Sequence, residues 1–218
     1  MELKGLKIAF LGDSITYGVG VEDSDNIFVN RLKKNEKLKE TYNYGIGGTR
    51  IARNHNVSPV TEWDYCFLDR VDKMNCAPDL VVVFGGTNDF GHGDGGLGNM
   101  DCRDEYSFYG ALHCLCNKLI DKFTSSRIVF ITPLHRLSED EPINELGIKR
   151  EGNLKAYVEA VKNVCEYYSL PVLDLYATSG LQPKVQSIKE KYCPDGLHPN
   201  DLGHEILASM LAGFLKTL

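Results

Sequence analysis

The chain has 218 residues, of which 43% are hydrophobic and 25% are charged, so its size and composition fit one globular domain over residues 1–218. Its 24 basic and 30 acidic residues leave a net charge of −6. The one cluster of lysines fits a solvated helix end and comprises Lys33, Lys34, Lys37 and Lys39. The negative net charge and the lack of a larger basic patch argue against nucleic acid as a partner.

Five short segments rich in β-branched and aromatic residues alternate with longer segments of helical period. The predicted strands are 7–11, 42–46, 80–84, 127–132 and 171–175. The third of them is apolar at every position, which is typical of a strand that is buried on both faces in a parallel sheet.

Three apolar stripes at helical spacing predict helices that pack on this sheet. The first stripe runs from Tyr109 to Phe123, the second from Leu154 to Tyr168, and the third from Leu202 to Leu215. Alternation of strands and helices implies right-handed βαβ crossovers. The sequence therefore predicts an α/β fold, a three-layer α/β/α sandwich around a five-stranded parallel sheet.

Polar and glycine-rich segments follow the first three predicted strands, and a fourth such segment precedes the last predicted helix. Their sequences are Gly-Asp-Ser-Ile-Thr at 12–16, Gly-Ile-Gly-Gly-Thr at 45–49, Gly-Gly-Thr-Asn-Asp at 85–89 and Asp-Gly-Leu-His-Pro at 195–199. In an open parallel sheet, ligands bind beyond the carboxyl ends of the strands. We therefore expect the four segments to meet in one crevice.

These segments contain the parts that acyl transfer through a serine requires. Ser14 is the predicted nucleophile, His198 the general base and then general acid, and Asp195 the carboxylate that orients the imidazole. Gly48, the side-chain amide of Asn88 and the backbone N–H of Ser14 are the predicted donors of an oxyanion hole.

Alternative interpretations of the same segments remain open. Asp13 and Ser14 would also suit the cap of a short helix. Gly45 or Gly47 could replace Gly48 as a donor of the oxyanion hole. Asp13 and Asp89 are weaker alternatives for the triad acid, because nearby backbone N–H groups are better partners for them. The other histidines are interpreted as solvent-facing or locally bonded; they are His55, His92, His113, His135 and His204.

The four segments resemble the sequence blocks of the SGNH hydrolases, also called the GDSL esterase/lipase family. Ser14, Gly48, Asn88 and His198 match the four residues that give the family its name, and Ile15 stands where the motif has leucine. The resemblance covers nearly the whole chain. It implies a flavodoxin-like strand order, 2-1-3-4-5, and a serine hydrolase that cleaves carboxylic esters through an acyl-enzyme without a cofactor.

Three loops predicted to rim the crevice, 49–60, 91–104 and 134–150, indicate the type of ester. Their charged side chains favour a short acyl group, such as acetyl, on a polar or carbohydrate alcohol. The alternatives are a lipolytic acylhydrolase, a lysophospholipase or a thioesterase, and, from another class, a non-catalytic carbohydrate-binding module. The polar residues in question are Arg50, Arg53, His55, His92, Asp94, Asp101, Arg103, His135, Arg136, Glu139 and Asp140.

The sequence shows neither a cofactor-binding motif nor an apolar segment long enough to span a membrane. No metal-ligand spacing, Walker A sequence or dinucleotide fingerprint is present, so we expect neither metal nor cofactor. The seven cysteines are an odd number and are expected to be reduced thiols. The longest apolar run, 80–84, is too short to span a bilayer, and residues 1–7 lack a signal-like apolar core. We therefore expect a cytoplasmic protein of undetermined oligomeric state.

Overall fold

One five-stranded sheet organises the chain, and every neighbouring pair of its strands is parallel. The computed structural model describes residues 1–218. The strand order is β2-β1-β3-β4-β5, which is the order that the resemblance implied. The strands are β1 Lys7–Gly12, β2 Glu40–Gly45, β3 Leu80–Phe84, β4 Arg127–Ile131 and β5 Val172–Leu173.

The last strand is shorter than its prediction of 171–175, because a helix begins inside the predicted range. The carboxylate of Asp174 accepts a hydrogen bond from the backbone N–H of Ala177 and so caps a one-turn helix that starts at Leu175. An N-terminal cap of this kind satisfies a backbone donor that the helix itself leaves free. The chain therefore leaves the sheet two residues early.

Nine α-helices connect and cover the strands, together with two 3₁₀ turns at Ser24–Asn26 and Thr61–Asp64. The three predicted apolar stripes lie on α5, α6 and α9. The helices are α1 Ser14–Tyr17, α2 Phe28–Asn35, α3 Phe67–Lys73, α4 Thr87–His92, α5 Phe108–Lys122, α6 Leu154–Tyr167, α7 Leu175–Thr178, α8 Gln186–Tyr192 and α9 Asp201–Thr217.

The sheet has a hydrophobic core on each face. Along β3, Val81 and Val83 point to a cluster of 27 buried residues shared with α3, α5 and α6, whereas Leu80 and Val82 point to a cluster of 23 shared with α2 and α9. Successive side chains of a strand point to opposite faces, so a strand in this position must be apolar throughout. The predicted three-layer α/β/α class is confirmed.

The stripe predicted for α9 is wrong at its first residue. Leu207, Leu211 and Leu215 are buried against the sheet, but Leu202 is 45% exposed. At 100° per residue, Leu202 points roughly 180° away from Leu211 around the helix axis. It therefore lies on the outer side of α9.

None of the nine helices combines the length and the apolar character that crossing a membrane requires. The assignment of residues 1–218 to a single domain stays a prediction.

Candidate active site

The first three motif segments emerge side by side because of the register of the central strands. Gly12 at the end of β1 pairs with Gly45 at the end of β2 and with Phe84 at the end of β3. The chain after each strand then lines one cavity of about 590 Å³ at this edge of the sheet. The fourth segment closes the same cavity with Leu197 and His198. The four segments therefore meet in one cavity, as the sequence predicted.

Ser14, His198 and Asp195 form a continuous chain of hydrogen bonds. Nε2 of His198 lies 2.9 Å from Oγ of Ser14, and Nδ1 of the same ring lies 2.6 Å from Oδ2 of Asp195. Because the carboxylate can only accept, it fixes the proton on Nδ1 and leaves Nε2 as the acceptor that faces the serine hydroxyl. This is the geometry that a serine nucleophile and its base require.

A tight turn holds the aspartate and the histidine together. Oδ1 of Asp195 accepts hydrogen bonds from the backbone N–H groups of Leu197 and His198, at 2.9 and 2.7 Å. Gly196 has a φ of +80°, and a Cβ there would lie 2.9 Å from Cβ of Leu137. Glycine is therefore required at this position by both the backbone conformation and the neighbouring loop.

The carboxylate of Asp195 is held in its ionised form. Partial burial would raise the pKa of this group, but the hydrogen bonds from the His198 ring and from two backbone N–H groups outweigh that effect and lower the pKa below its ordinary value. A charged Asp195 therefore stays available to stabilise the imidazolium that forms when His198 accepts a proton.

Three residues that line the cavity, Ser14, Gly48 and Asn88, carry N–H groups that are available as donors. Ser14 is the first residue of α1, so its backbone N–H has no acceptor within the helix. The N–H of Gly48 makes no hydrogen bond with other backbone groups. Nδ2 of Asn88 donates one hydrogen bond to the carbonyl of Thr49 at 3.0 Å, which orients the amide and leaves its second N–H free.

Gly48 is packed too tightly to accept another residue. Its φ is +72°, and a Cβ would lie 2.0 Å from Cδ1 of Trp63. Gly47 has its Cβ position 3.9 Å from Cβ of Ser14, and both glycines line the cavity. The glycine pair thus lets the backbone pass directly beside the serine.

The two buried aspartates next to these residues have structural partners, as the sequence indicated. Asp13 accepts from the backbone N–H of Ile15 at 3.0 Å and caps α1. Asp89 accepts from the N–H groups of Ile51 and Ala52 at 3.0 and 2.8 Å, which ties α4 to the loop after β2. Burial raises the pKa of Asp13 to about 7 and that of Asp89 to about 6. Neither carboxylate is bonded to His198.

A buried arginine that the sequence did not single out joins the strand ends. Arg70 of α3 donates to the carbonyl of Gly12 at 2.9 Å, to Oγ1 of Thr49 at 2.7 Å and to the carbonyl of Tyr44. It therefore connects the segment before the serine to the segment that carries the glycine donor. α3 also contains Asp69, Asp72 and Lys73, so its sequence gives no signal that distinguishes Arg70 from a surface charge.

Most charged side chains of the three rim loops are engaged with other protein groups, and Glu145 is the one that lines the cavity. Of those named from the sequence, only His92 lines it. The cavity also has an apolar side formed by Tyr17, Val19, Ile46, Val60 and Leu197. The polar partners are internal: Arg50 with Asp64, Arg53 with Asp69 and Glu105, Asp94 with the backbone of His55 and Asn56, and Arg136 with Glu145.

His92 was expected in a loop with a local role, but it is the last residue of α4 and a wall of the cavity. Its ring stacks on Trp63 with the centroids 4.2 Å apart, and its Nδ1 lies 2.7 Å from Nη1 of the fully buried Arg50. One signal was available in the sequence. His92 follows Asn88 by four residues, which puts both side chains on one face of a helix.

Outside this cavity, the molecule has no metal-binding cluster, and its larger hollow lacks a base for catalysis. No group of three or more histidine, cysteine, aspartate or glutamate side chains is arranged to hold a metal ion. A larger hollow of about 700 Å³ lies near the opposite end of β4, with Phe123, Arg127 and Leu170 in its wall. No histidine or carboxylate side chain lines that hollow, so its serines lack a base.

The sequence from residue 10 to residue 206 matches the model of the GDSL-like lipase/acylhydrolase family. The chain belongs to this family. Membership confirms the predicted enzyme class, a hydrolase that acts on ester bonds.

The chain is also similar to individual known proteins. An acetylxylan esterase of Xylanibacter ruminicola is 22% identical over 97% of this chain, which spans only 43% of that protein's length. A solved structure from Lactobacillus plantarum is 28% identical, with a TM-score of 0.82 and 98% of each chain covered. A two-domain esterase active on acetylated mannans is 23% identical, with a TM-score of 0.64 over 98% of this chain and 49% of the other.

Proposed function

We propose that this chain is a serine esterase with Ser14 as nucleophile, His198 as general base and Asp195 as the orienting acid. The observation that carries the proposal is the pair of contacts at His198, 2.9 Å to Oγ of Ser14 and 2.6 Å to Oδ2 of Asp195. A serine hydroxyl is a weak nucleophile unless a base accepts its proton, and this arrangement supplies that base in the required tautomer.

In the first half of the proposed reaction, Oγ of Ser14 attacks the ester carbonyl carbon while Nε2 of His198 takes the hydroxyl proton. The carbonyl oxygen becomes an oxyanion next to the N–H groups of Ser14, Gly48 and Asn88. His198 then returns its proton to the leaving alcohol as the carbon–oxygen bond breaks, and the acyl group remains on Ser14.

In the second half, His198 takes a proton from water, and the resulting hydroxide attacks the acyl-enzyme. The same three donors stabilise the second oxyanion. As it collapses, the bond to Oγ of Ser14 breaks, His198 returns its proton to Oγ, and the carboxylic acid is released. Neutral donors suit this task because they stabilise the developing negative charge without adding another ionised group beside the ester.

We propose a short acyl group, acetyl, carried by a polar or carbohydrate alcohol as the substrate. The partly exposed Trp63 lines the cavity, and His92 and Glu145 place polar groups in the same wall. Similarity to an acetylxylan esterase and to an esterase active on acetylated mannans supports this choice.

A lipolytic acylhydrolase is the second candidate, and the apolar side of the cavity favours it. Tyr17, Val19 and Leu197 line the cavity close to His198, and Tyr17 and Val19 are 62% and 37% exposed. An apolar surface of this kind can take up a longer acyl chain, since burial of each methylene group contributes about 0.8 kcal/mol.

The acyl-length preference separates the two candidates. p-Nitrophenyl esters from acetate to decanoate share one leaving group, so their kcat/KM values report only the acyl side. The proposed function requires that acetate is cleaved faster than octanoate and that acetylated xylan or mannan oligosaccharides are deacetylated. A preference for chains of about eight carbons or more would instead support the lipolytic candidate.

We propose a cytoplasmic location, which all seven cysteines support because each is a free thiol. Fractionation of the producing cells with a specific antibody tests this location. Recovery in the extracellular fraction would contradict it.

A further inference from the structure

His92 carries a polar atom that no contact within the protein uses. Nδ1 is engaged by Arg50, but Nε2 makes no hydrogen bond and is not among the side-chain atoms that are sealed from solvent without a partner. The residue is only 3% exposed and lines the cavity beside Ser14. The exposed part of this side chain therefore faces the cavity.

Arg50 determines which nitrogen of this ring carries the proton. A guanidinium group donates hydrogen bonds and cannot accept them, so the 2.7 Å contact from Nη1 requires Nδ1 of His92 to be an unprotonated acceptor. The ring is then neutral, with its proton on Nε2. Burial, followed by the positive charges of Arg50 and Arg136, lowers the pKa of His92 to about 3, which agrees with this tautomer.

Arg50 and Trp63 hold the ring in one orientation. Nη2 of Arg50 donates to Asp64 at 2.9 Å and to Ser58 at 3.1 Å, so the guanidinium is fixed from its other side. Trp63 stacks on one face of the imidazole. The Nε2–H bond of His92 therefore has a fixed direction, which is what recognition of a particular substrate atom requires.

A carboxylate lies beside this donor. The backbone N–H of Glu145 donates to the carbonyl of Gly91 at 2.9 Å, which places Glu145 next to His92 along the cavity wall. Oε1 of Glu145 accepts from Arg136 at 2.6 Å, while Oε2 makes no hydrogen bond within the protein. The wall therefore presents one fixed donor and one free acceptor.

We propose that His92 and Glu145 form a hydroxyl-binding subsite that selects esters of polyhydroxylated alcohols. A hydroxyl group is both donor and acceptor, so neighbouring hydroxyls can accept from Nε2–H of His92 and donate to the carboxylate of Glu145. An alcohol without hydroxyl groups leaves the Nε2–H donor of the buried His92 unpaired in the cavity, which penalises its binding. This inference rests on the proposed esterase function and names its substrate class.

A pair of esters that differ only in hydroxyl groups tests the subsite. Glycerol monoacetate and propyl acetate share the acetyl group and a three-carbon alcohol. The wild-type chain should cleave glycerol monoacetate with a kcat/KM about tenfold higher. His92→Phe keeps an aromatic ring for Trp63 but removes the donor, and it should lower this ratio to near one. The loss should appear in KM, because the hydrogen bonds exist in both the ground state and the transition state.

His92→Gln is the matched control, because its amide can accept from Arg50 and still donate to the cavity. It should keep the ratio within about threefold of wild type, and Glu145→Gln, which removes the carboxylate charge, should lower the ratio. If His92→Phe does not fold, the wild-type ratio decides: equal kcat/KM for the two esters overturns the subsite. Cleavage of neither ester contradicts the proposed function itself, whereas equal cleavage of both contradicts only the subsite.

Discussion

Asp13 lies directly before the proposed nucleophile and is 1% exposed, so its charge is costly in the folded chain. Burial raises its pKa from 3.8 to about 7, against the opposing effects of the Ile15 N–H and of Arg70. Between these values the folded chain holds a proton that the unfolded chain has lost. This contribution to stability is complete below about pH 4 and is lost as the pH rises to about 7.

Asp13→Asn removes the titration and keeps an oxygen that can accept from Ile15. At about 1.4 kcal/mol for each pKa unit, the difference between the folded and unfolded carboxyl corresponds to about 4 kcal/mol. The variant should therefore gain stability relative to wild type as the pH rises, from no pH-dependent difference near pH 4 to as much as about 4 kcal/mol at pH 8. Urea unfolding followed by circular dichroism, repeated at intervals of about one pH unit from pH 4 to pH 8, measures this difference in the free energy of unfolding.

Asp121→Asn is the matched control, because that carboxylate is exposed on α5. Its difference from wild type should stay within about 0.5 kcal/mol at each pH. A constant difference between Asp13→Asn and wild type from pH 4 to pH 8 would refute the argument, since it would mean that Asp13 titrates alike in the folded and unfolded chain. A variant that loses stability as the pH rises would refute its sign.

Asn88→Ala should lower kcat by about 10²–10³ with little change in KM, because the role proposed for its free N–H is stabilisation of the oxyanion. Asn163→Ala, which does not line the cavity, should leave both constants unchanged. An effect confined to KM would assign Asn88 to substrate binding. Gly48→Ala should cost at least about tenfold in kcat, because a Cβ would meet Trp63 at 2.0 Å and the φ is positive. Gly213→Ala, where a Cβ meets nothing within 4 Å, should keep full activity, and wild-type activity in the Gly48 variant would contradict the packing argument. EDTA should leave kcat unchanged, and a loss that a divalent ion restores would contradict the proposed mechanism.

Local patterns were sufficient to predict the strands of the sheet, whereas their order was implied by the resemblance to the family. β3 is apolar at every position because both of its faces are covered, and that requirement is visible in the sequence. β5 was predicted too long because Asp174 ends the strand through a cap, and the same residues would also suit a continuing strand. Strand boundaries of this kind depend on side-chain hydrogen bonds that hydrophobic periodicity does not describe.

The cavity wall was harder to predict than the residues at the strand ends. Ser14, Gly48 and Asn88 follow strands whose ends must meet, so topology alone brings them together. Arg50 and Arg53 look equally solvated in the sequence, yet Arg50 is buried behind His92 while Arg53 pairs with Asp69 and Glu105. Composition records the charge of a loop but not the direction in which each side chain points.

Labelling with a fluorophosphonate tests the central claim most directly, because this reagent phosphonylates a serine only when a base activates it. Peptide mass spectrometry of the labelled protein should place the adduct on Ser14, and Ser14→Ala should remove both the label and nearly all esterase activity while the circular dichroism spectrum stays unchanged. His198→Ala should slow the labelling of an otherwise intact Ser14. An adduct on another residue, or a Ser14→Ala variant that keeps more than about a tenth of wild-type kcat, would contradict the account.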